Sequence, residues 1–380
     1  MSCPSCGEPV TSGDSYCEAC GAELVPPKAA EPTVVRSSDA TTCPTCGAPG
    51  EEASPDGYCG RCGRRWSPRR EHDELVDGPL AGVTDRGIDH WRNEDAIGLC
   101  SVPSGGFALV VCDGVSASQE PHLVSQAAVD AAVPVLRDAL VLDDDLEIAM
   151  LSAVAAAQVA AAGLPYEEGV ELGPGACTFV GVVVRDGQAT FGTVGDSRAY
   201  WVDAGGARQI GRDDSLAAEL VANGRLTPQQ AMASPAGHAI TKWLGVDSVD
   251  PSPLLTTIDL PGPGLVLAVS DGLWNYAPDD ELLHRLVGPV GSESALGLAR
   301  RLTAYAEGLG GADNITVAVG PHGLDLPIDG QHGESGPSAR SGPAGAAGRN
   351  GRSAHDGDGA EGGDDAAHDG PSGSSGQEEA

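Results

Sequence analysis

The chain lacks several features that would assign it quickly to a class. No run of eighteen apolar residues occurs in its 380 residues, so no membrane-spanning helix is expected. Its opening, MSCPSCGEPV, has neither the basic nor the apolar region of a secretory signal. A cytoplasmic location follows as the expectation, and with it a reducing environment for thiols. Positive charge is scarce: 22 Lys and Arg stand against 55 Asp and Glu, a formal net charge of −33. That balance disfavours nucleic acid as a partner. One basic patch, residues 61–70, runs against the trend and reads as a solvated linker. From residue 321 onward large apolar side chains almost vanish. Residues 321–380 are therefore expected to be a disordered acidic tail rich in Gly, Ser and Ala, unable to bury enough surface to offset its ordering entropy.

Cysteine, by contrast, is plentiful. Eight of the eleven fall in four Cys-x-x-Cys pairs: Cys3/Cys6, Cys17/Cys20, Cys43/Cys46 and Cys59/Cys62. Each pair is followed at once by Gly, and the loops between the pairs are similar, which makes an internal repeat. Such a turn sets two thiolates on one side of a tight knuckle, and two knuckles complete a tetrahedral Zn²⁺ site. Disulfides and a redox dithiol compete, but a reducing compartment and four regular pairs disfavour both. The pattern resembles tandem zinc ribbons. It places ribbons at residues 1–24 and 43–66, linkers at 25–42 and 67–74, and two structural Zn²⁺ ions. Nucleic acid, a protein partner or folding alone would each suit such ribbons, and their partner stays open. The other cysteines, Cys100, Cys112 and Cys177, sit in apolar stretches and read as core packing.

Residues 75–320 carry the apolar patterning of one substantial domain. Strand-like runs cover 96–100, 107–112, 178–184, 189–194, 199–202, 265–269 and 315–319, and helical spacing covers 125–142 and 146–162. Strands adjacent in sequence, with long helices between them, imply antiparallel sheets with helices packed outside, an α+β class. Two of the apolar runs end in Asp-Gly, in VVCDGVSAS at Asp113-Gly114 and in LAVSDGLW at Asp271-Gly272. Asp-Gly is a common hairpin turn, but a hairpin needs a second alternating strand at once, and a helical pattern follows both copies. More acids stand at strand ends: Glu94 and Asp95 in RNEDA, Asp196 in TVGDSR and Asp313 in GADNIT. Carboxylates beside a core need partners, and Lys and Arg are too few to supply them. A hard divalent cation would, and all-oxygen ligands favour Mg²⁺ or Mn²⁺ over Zn²⁺.

In this order RNEDA, VVCDGVSAS, GACTFVGVVV, FGTVGDSRAYWV, ITKWLG, LAVSDGLW and ADNITVAV resemble the metal-dependent protein phosphatases of the PP2C type. The resemblance spans the central domain. It implies a four-layer α-β-β-α sandwich and hydrolysis of phosphoserine and phosphothreonine by a hydroxide that bridges two metal ions. It further implies that Asp113 bridges both Mn²⁺ or Mg²⁺ ions. The Gly114 carbonyl and Glu94 would hold one ion, Asp271 and Asp313 the other. Asp95 would accept from metal-bound water, and Asp196 would help hold a third, weaker ion. Partners would be phosphoproteins, the targets of serine/threonine kinases.

Two positions depart from that family. Val115 stands where many eukaryotic members have a histidine after Asp-Gly, and His90 where the family places a phosphate-binding Arg. Residues two apart in an extended strand share a face, so Arg92 is expected to bind substrate phosphate with His90 assisting. Two rivals come from other classes: a phosphatase-fold binding module without catalysis, and a zinc-ribbon adaptor for nucleic acid or protein.

Overall fold

The computed structural model of the chain describes residues 6, 8–9, 16–17, 19–21, 33–36, 46–49, 52, 58–63, 72–90, 92–232, 234, 237 and 239–327. Two compact units divide it, Met1–Gly333 and Glu334–Ala380. The second, with most of the expected acidic tail, lies outside the described residues, as do Cys3 and Cys43.

In chain order the strands are β1 (Thr33–Arg36), β2 (His72–Asp77), β3 (Leu80–Asp85), β4 (Ala96–Ser101), β5 (Phe107–Cys112), β6 (Ala176–Cys177) and β7 (Phe179–Arg185). There follow β8 (Gln188–Val194), β9 (Arg198–Asp203), β10 (Gly206–Ile210), β11 (Leu244–Gly245), β12 (Leu254–Asp259), β13 (Gly264–Val269) and β14 (Ile315–His322). The helices are α1 (Pro121–Leu142), α2 (Leu146–Ala162), α3 (Leu216–Ala222), α4 (Pro228–Met232), α5 (Asp271–Trp274), α6 (Asp280–Val287) and α7 (Ala295–Gly308). One antiparallel sheet has the order β1-β2-β3-β14-β13-β9-β10, a second β12-β8-β7-β5-β4, and β11 pairs with β6 alone.

The pleat explains the layering. In β5 all six side chains are buried, with Phe107, Leu109 and Val111 in the core between the sheets. Ala108, Val110 and Cys112 turn instead toward α1 and α2. β13 repeats this on the other sheet: Val266 and Ala268 face the opposite sheet, while Leu265, Leu267 and Val269 face α5, α6 and α7. Strands buried on both faces read as continuous apolar runs. The result is helices, sheet, sheet, helices, the four layers the family resemblance implied.

Local signals set the helix ends. Asp145 caps α2, its side chain accepting from the backbone N–H of Glu147 and Ile148 at 3.0 Å each, worth about 1 kcal/mol. α1 begins four residues before the expected 125 because Pro121 occupies the first turn, where its missing N–H costs nothing. Thr33–Arg36 falls inside the expected linker 25–42 and pairs with β2 as an edge strand. β2 itself starts at His72, ahead of the expected boundary at residue 75. Cys100, Cys112 and Cys177 are buried in the core. No helix among the described residues is long and apolar enough to cross a membrane.

Candidate metal centre

Both Asp-Gly pairs sit where a core strand meets a helix layer. After β5 the Asp113 N–H donates to Thr178 Oγ1 at 3.0 Å, and the Thr178 N–H donates back to the Asp113 carbonyl at 2.8 Å. A side chain at Gly114 would lie 2.6 Å from the Glu94 carbonyl and 2.8 Å from that of Pro121. After β13 a side chain at Gly272 would collide with the Asn314 carbonyl at 1.9 Å. The glycines therefore allow backbone to approach backbone and form no hairpin turn. Through them Asp113 is drawn to the Glu94 segment, and Asp271 to the Asp313 segment.

Asn314 ties these segments together. Its Oδ1 accepts from the Glu94 N–H at 2.7 Å. Its Nδ2 donates to the carbonyls of Arg86 and Arg92 at 2.8 and 3.0 Å. Ser116 Oγ donates to Glu94 Oε2 at 2.5 Å, and Thr316 Oγ1 donates to Asp95 Oδ2 at 2.7 Å. Such supports span up to 228 positions, so motif spacing did not reveal them. The signal that could have found Asn314 and Thr316 is their place beside Asp313 in ADNIT.

The assembled cleft has a volume of about 590 Å³, and Asp113, Asp196, Asp271 and Asp313 are among its lining residues. Among the described residues, no Lys or Arg lines it. Glu94, Asp95 and Asp196 are buried; Asp113 is half-buried and lines the cleft. Burial, then the charges of Asp95, Asp271, Asp313 and Asp196, push the Asp113 carboxyl well above the usual range. Asp95 is pushed up to about 7, by burial first, against hydrogen bonds from Thr316 and Ser270. Asp196 rises well above its ordinary value through burial and the charges of Asp271 and Asp213. Glu94 rises through burial, offset in part by Ser116 and His90.

Mutually repelling carboxylates in one cleft call for cations. The donor set fits a hard divalent ion: it is all oxygen, and Asp95 Oδ1 is buried with no hydrogen-bond partner among the described residues. The carboxylates do not converge on one point. Among the described residues only two groups bring three such ligand atoms within 4.8 Å, and both are cysteines.

These are Cys6, Cys17 and Cys20, and Cys46, Cys59 and Cys62. Sγ atoms of Cys6 and Cys17 are 3.6 Å apart, as are those of Cys46 and Cys59. The repeat shows in the backbone too, where Gly21 N donates to Cys17 O and Gly63 N to Cys59 O, each at 2.8 Å.

His90 and Arg92 part company. His90 Nε2 lies 3.1 Å from Asp313 Oδ1, at the centre's edge. Arg92 Nη1 donates to His122 Nε2 at 2.7 Å and lies 3.7 Å from Glu120 Oε2, at the start of α1. Neither lines the cleft. The expectation that the two share a strand face fails because residues 86–90 and 92–95 form turns, a bend and coil, and β4 begins only at Ala96.

Known proteins can now be set beside this geometry. Residues 88–293, more than half of the chain, match the family model described as Protein phosphatase 2C. Residues 3–66 match the one described as Double zinc ribbon. The chain is 31% identical over 243 residues to the serine/threonine protein phosphatase PstP of Mycobacterium tuberculosis, covering 63% of this chain and 44% of that protein. It thus spans less than half the length of that relative. With the serine/threonine phosphatase stp of Listeria welshimeri it shares 29% identity over 250 residues, covering 62% of this chain and 92% of that protein. Among solved structures it resembles the serine/threonine phosphatase Stp1 of Staphylococcus aureus, at TM-score 0.54 and 25% identity over 63% of this chain and 93% of that one.

Proposed function

The chain belongs to the protein phosphatase 2C family, and from that premise we propose that its carboxylate cleft hydrolyses phosphoserine and phosphothreonine in protein substrates with Mn²⁺ or Mg²⁺. One observation carries the reading: acids from four separate segments meet in one cleft whose described lining residues include no Lys or Arg. Glu94, Asp113, the Gly114 carbonyl, Asp271 and Asp313 would hold two ions, with Asp196 toward a third. When bound, such cations supply the Lewis acidity that ionises water near neutral pH and the charge that attack on a phosphoryl group needs. The chain's own residues do the positioning. Ser116 orients Glu94, Thr316 orients Asp95, and Asn275 Nδ2 donates to Asp271 Oδ2 at 3.2 Å. Val115 offers no proton to a leaving alkoxide. We assign His90 and Arg92 to the incoming phosphate, which requires Arg92 to turn from Glu120. Because the whole carboxylate set is present, the reading without catalysis has no support in the site.

The ribbons would hold two Zn²⁺ ions in the cytoplasm, where reduced thiols persist, and the kinase targets among phosphoproteins are the substrate class. The decisive measurement is phosphopeptide hydrolysis with and without added Mn²⁺. Release of phosphate only with the metal supports the proposal, and undiminished release without it overturns the mechanism.

A further inference from the structure

A buried cation close to the cleft, but outside its lining, has no part in the chemistry described so far. Arg198 opens β9 two residues after Asp196. Its guanidinium forks onto Asp213, Nε to Oδ1 at 3.0 Å and Nη2 to Oδ2 at 2.7 Å. Both side chains are only 10% exposed, and Gln209 Nε2 donates to the same Asp213 oxygen at 2.9 Å. The guanidinium carbon lies 3.7 Å from the ring centroid of Trp274.

Trp274 is 2% exposed and ends the single helical turn that Asp271 begins. Its Nε1–H donates to the Asp196 carbonyl at 2.9 Å. One indole therefore grips the main chain of one cleft aspartate and belongs to the turn that presents another. Desolvation makes a buried ion pair weak evidence for stability, whereas fixing geometry is a use such pairs do serve. Arg198 has the geometry for it: the fork pins the guanidinium plane, and that plane sets the indole.

Building on the metal-dependent reading above, we propose that Arg198 is a positioning residue. Clamped by Asp213, it fixes the Trp274 indole and so holds Asp196 and the Asp271 turn at the spacing their metal ions require. Asp213 lies just before α3, so the brace also ties the entry of that helix to the cleft.

The test uses the full-length, zinc-replete chain and two conservative variants. Arg198→Lys keeps the charge but loses the fork and plane; Trp274→Phe keeps the ring but loses the N–H. Mn²⁺ binding is followed by calorimetry without substrate, and phosphopeptide turnover is followed against Mn²⁺ concentration. Loss of a partner that orients a ligand typically weakens metal binding about ten- to a hundredfold. Both variants should show that loss, with the Mn²⁺ activation constant rising in step and kcat returning toward the parent at saturating Mn²⁺. A purely structural role would lower the melting temperature and leave Mn²⁺ affinity alone. Affinity within twofold of an active parent in both variants overturns the brace and leaves the phosphatase reading standing. Weakened affinity in the variants of a parent that binds Mn²⁺ yet hydrolyses no phosphopeptide does the reverse. If one variant does not melt cooperatively, the other decides the question by the same criterion.

Discussion

The chain builds ligand sets in two ways. Its cysteines come in pairs three positions apart, and in each ribbon three described thiols meet within 4.8 Å. Its carboxylates stand between residues 94 and 313: Asp113, Asp196, Asp271 and Asp313 line one cleft because two sheets deliver their strand ends there, and Glu94 is tied to it through Ser116. A local set has almost no core behind it and relies on its ion to fold. A dispersed set is presented by a core that stands on its own apolar burial. Under the proposed reading the contrast separates the two metals: zinc would act on the fold of the ribbons, Mn²⁺ or Mg²⁺ on the chemistry of the cleft.

Breaking the cleft should give the largest effect. Asp271→Asn and Asp313→Asn each remove a charge that would hold a cation contributing several kcal/mol to the transition state. An activity loss of about a hundredfold or more is expected. Thermal melting should move by no more than about 3 °C, because the core does not depend on either carboxylate. A variant that unfolded would make the cleft as metal-dependent for folding as the ribbons.

A second test uses the repulsion itself. Asp95 binds its proton more tightly when folded, at about 7 against 3.8. Its contribution to stability is therefore fully present below pH about 4 and is lost as pH rises through about 7. Without added Mn²⁺ or Mg²⁺ the protein should melt lower at pH 8 than at pH 6, and saturating Mn²⁺ should narrow the gap. Asp113→Asn should raise the metal-free melting temperature at pH 8 while abolishing turnover. Equal melting temperatures at both pH values, with and without metal, would mean that these acids do not strain the fold.

The ribbons supply the converse. Cys17→Ser or Cys59→Ser, each at a buried thiol, should lower the zinc found by elemental analysis from two ions per chain to one. Hydrolysis of a small phosphate ester should stay within about twofold, since no described cysteine of the ribbons lines the cleft and ligand loss acts on the ribbon's own fold. A fall in turnover matching the zinc loss would erase the distinction between the two regions.

The same contrast governs what the sequence disclosed. β5 and β13 were legible because both their faces are buried, which leaves unbroken apolar runs. β2, HDELVD, and β12, LLTTID, are only partly buried, and their mixed residues carry no clear period. Asp113 and Asp271 stood out at the ends of apolar runs. Asn314, Thr316 and Trp274 did not, since the hydrogen-bond partners described above lie 78 to 228 positions away. The inference about Arg92 assumed a strand where the chain turns, and spacing arguments hold only within regular elements.

The smallest effect concerns the two residues at the edge of the dispersed set. Arg92 is engaged by His122 and by Glu120, whose side chain is 63% exposed. An exposed pair of that kind is worth little, so a phosphate dianion could draw the guanidinium away at small cost. A new charge-assisted contact contributes roughly 1.5–3 kcal/mol, and the lost partners reduce the net gain. Arg92→Ala should therefore raise KM by about three- to tenfold with little change in kcat. His90, which assists at the phosphate, also lies 3.1 Å from Asp313, so His90→Ala should raise KM slightly and alter the Mn²⁺ activation constant, with only the second effect recovering at high Mn²⁺. Both variants are best compared on one phosphopeptide across a Mn²⁺ series. If Arg92→Ala stays within twofold of the parent at every Mn²⁺ concentration, Arg92 only pins the start of α1, and the substrate phosphate relies on His90 and the metal ions.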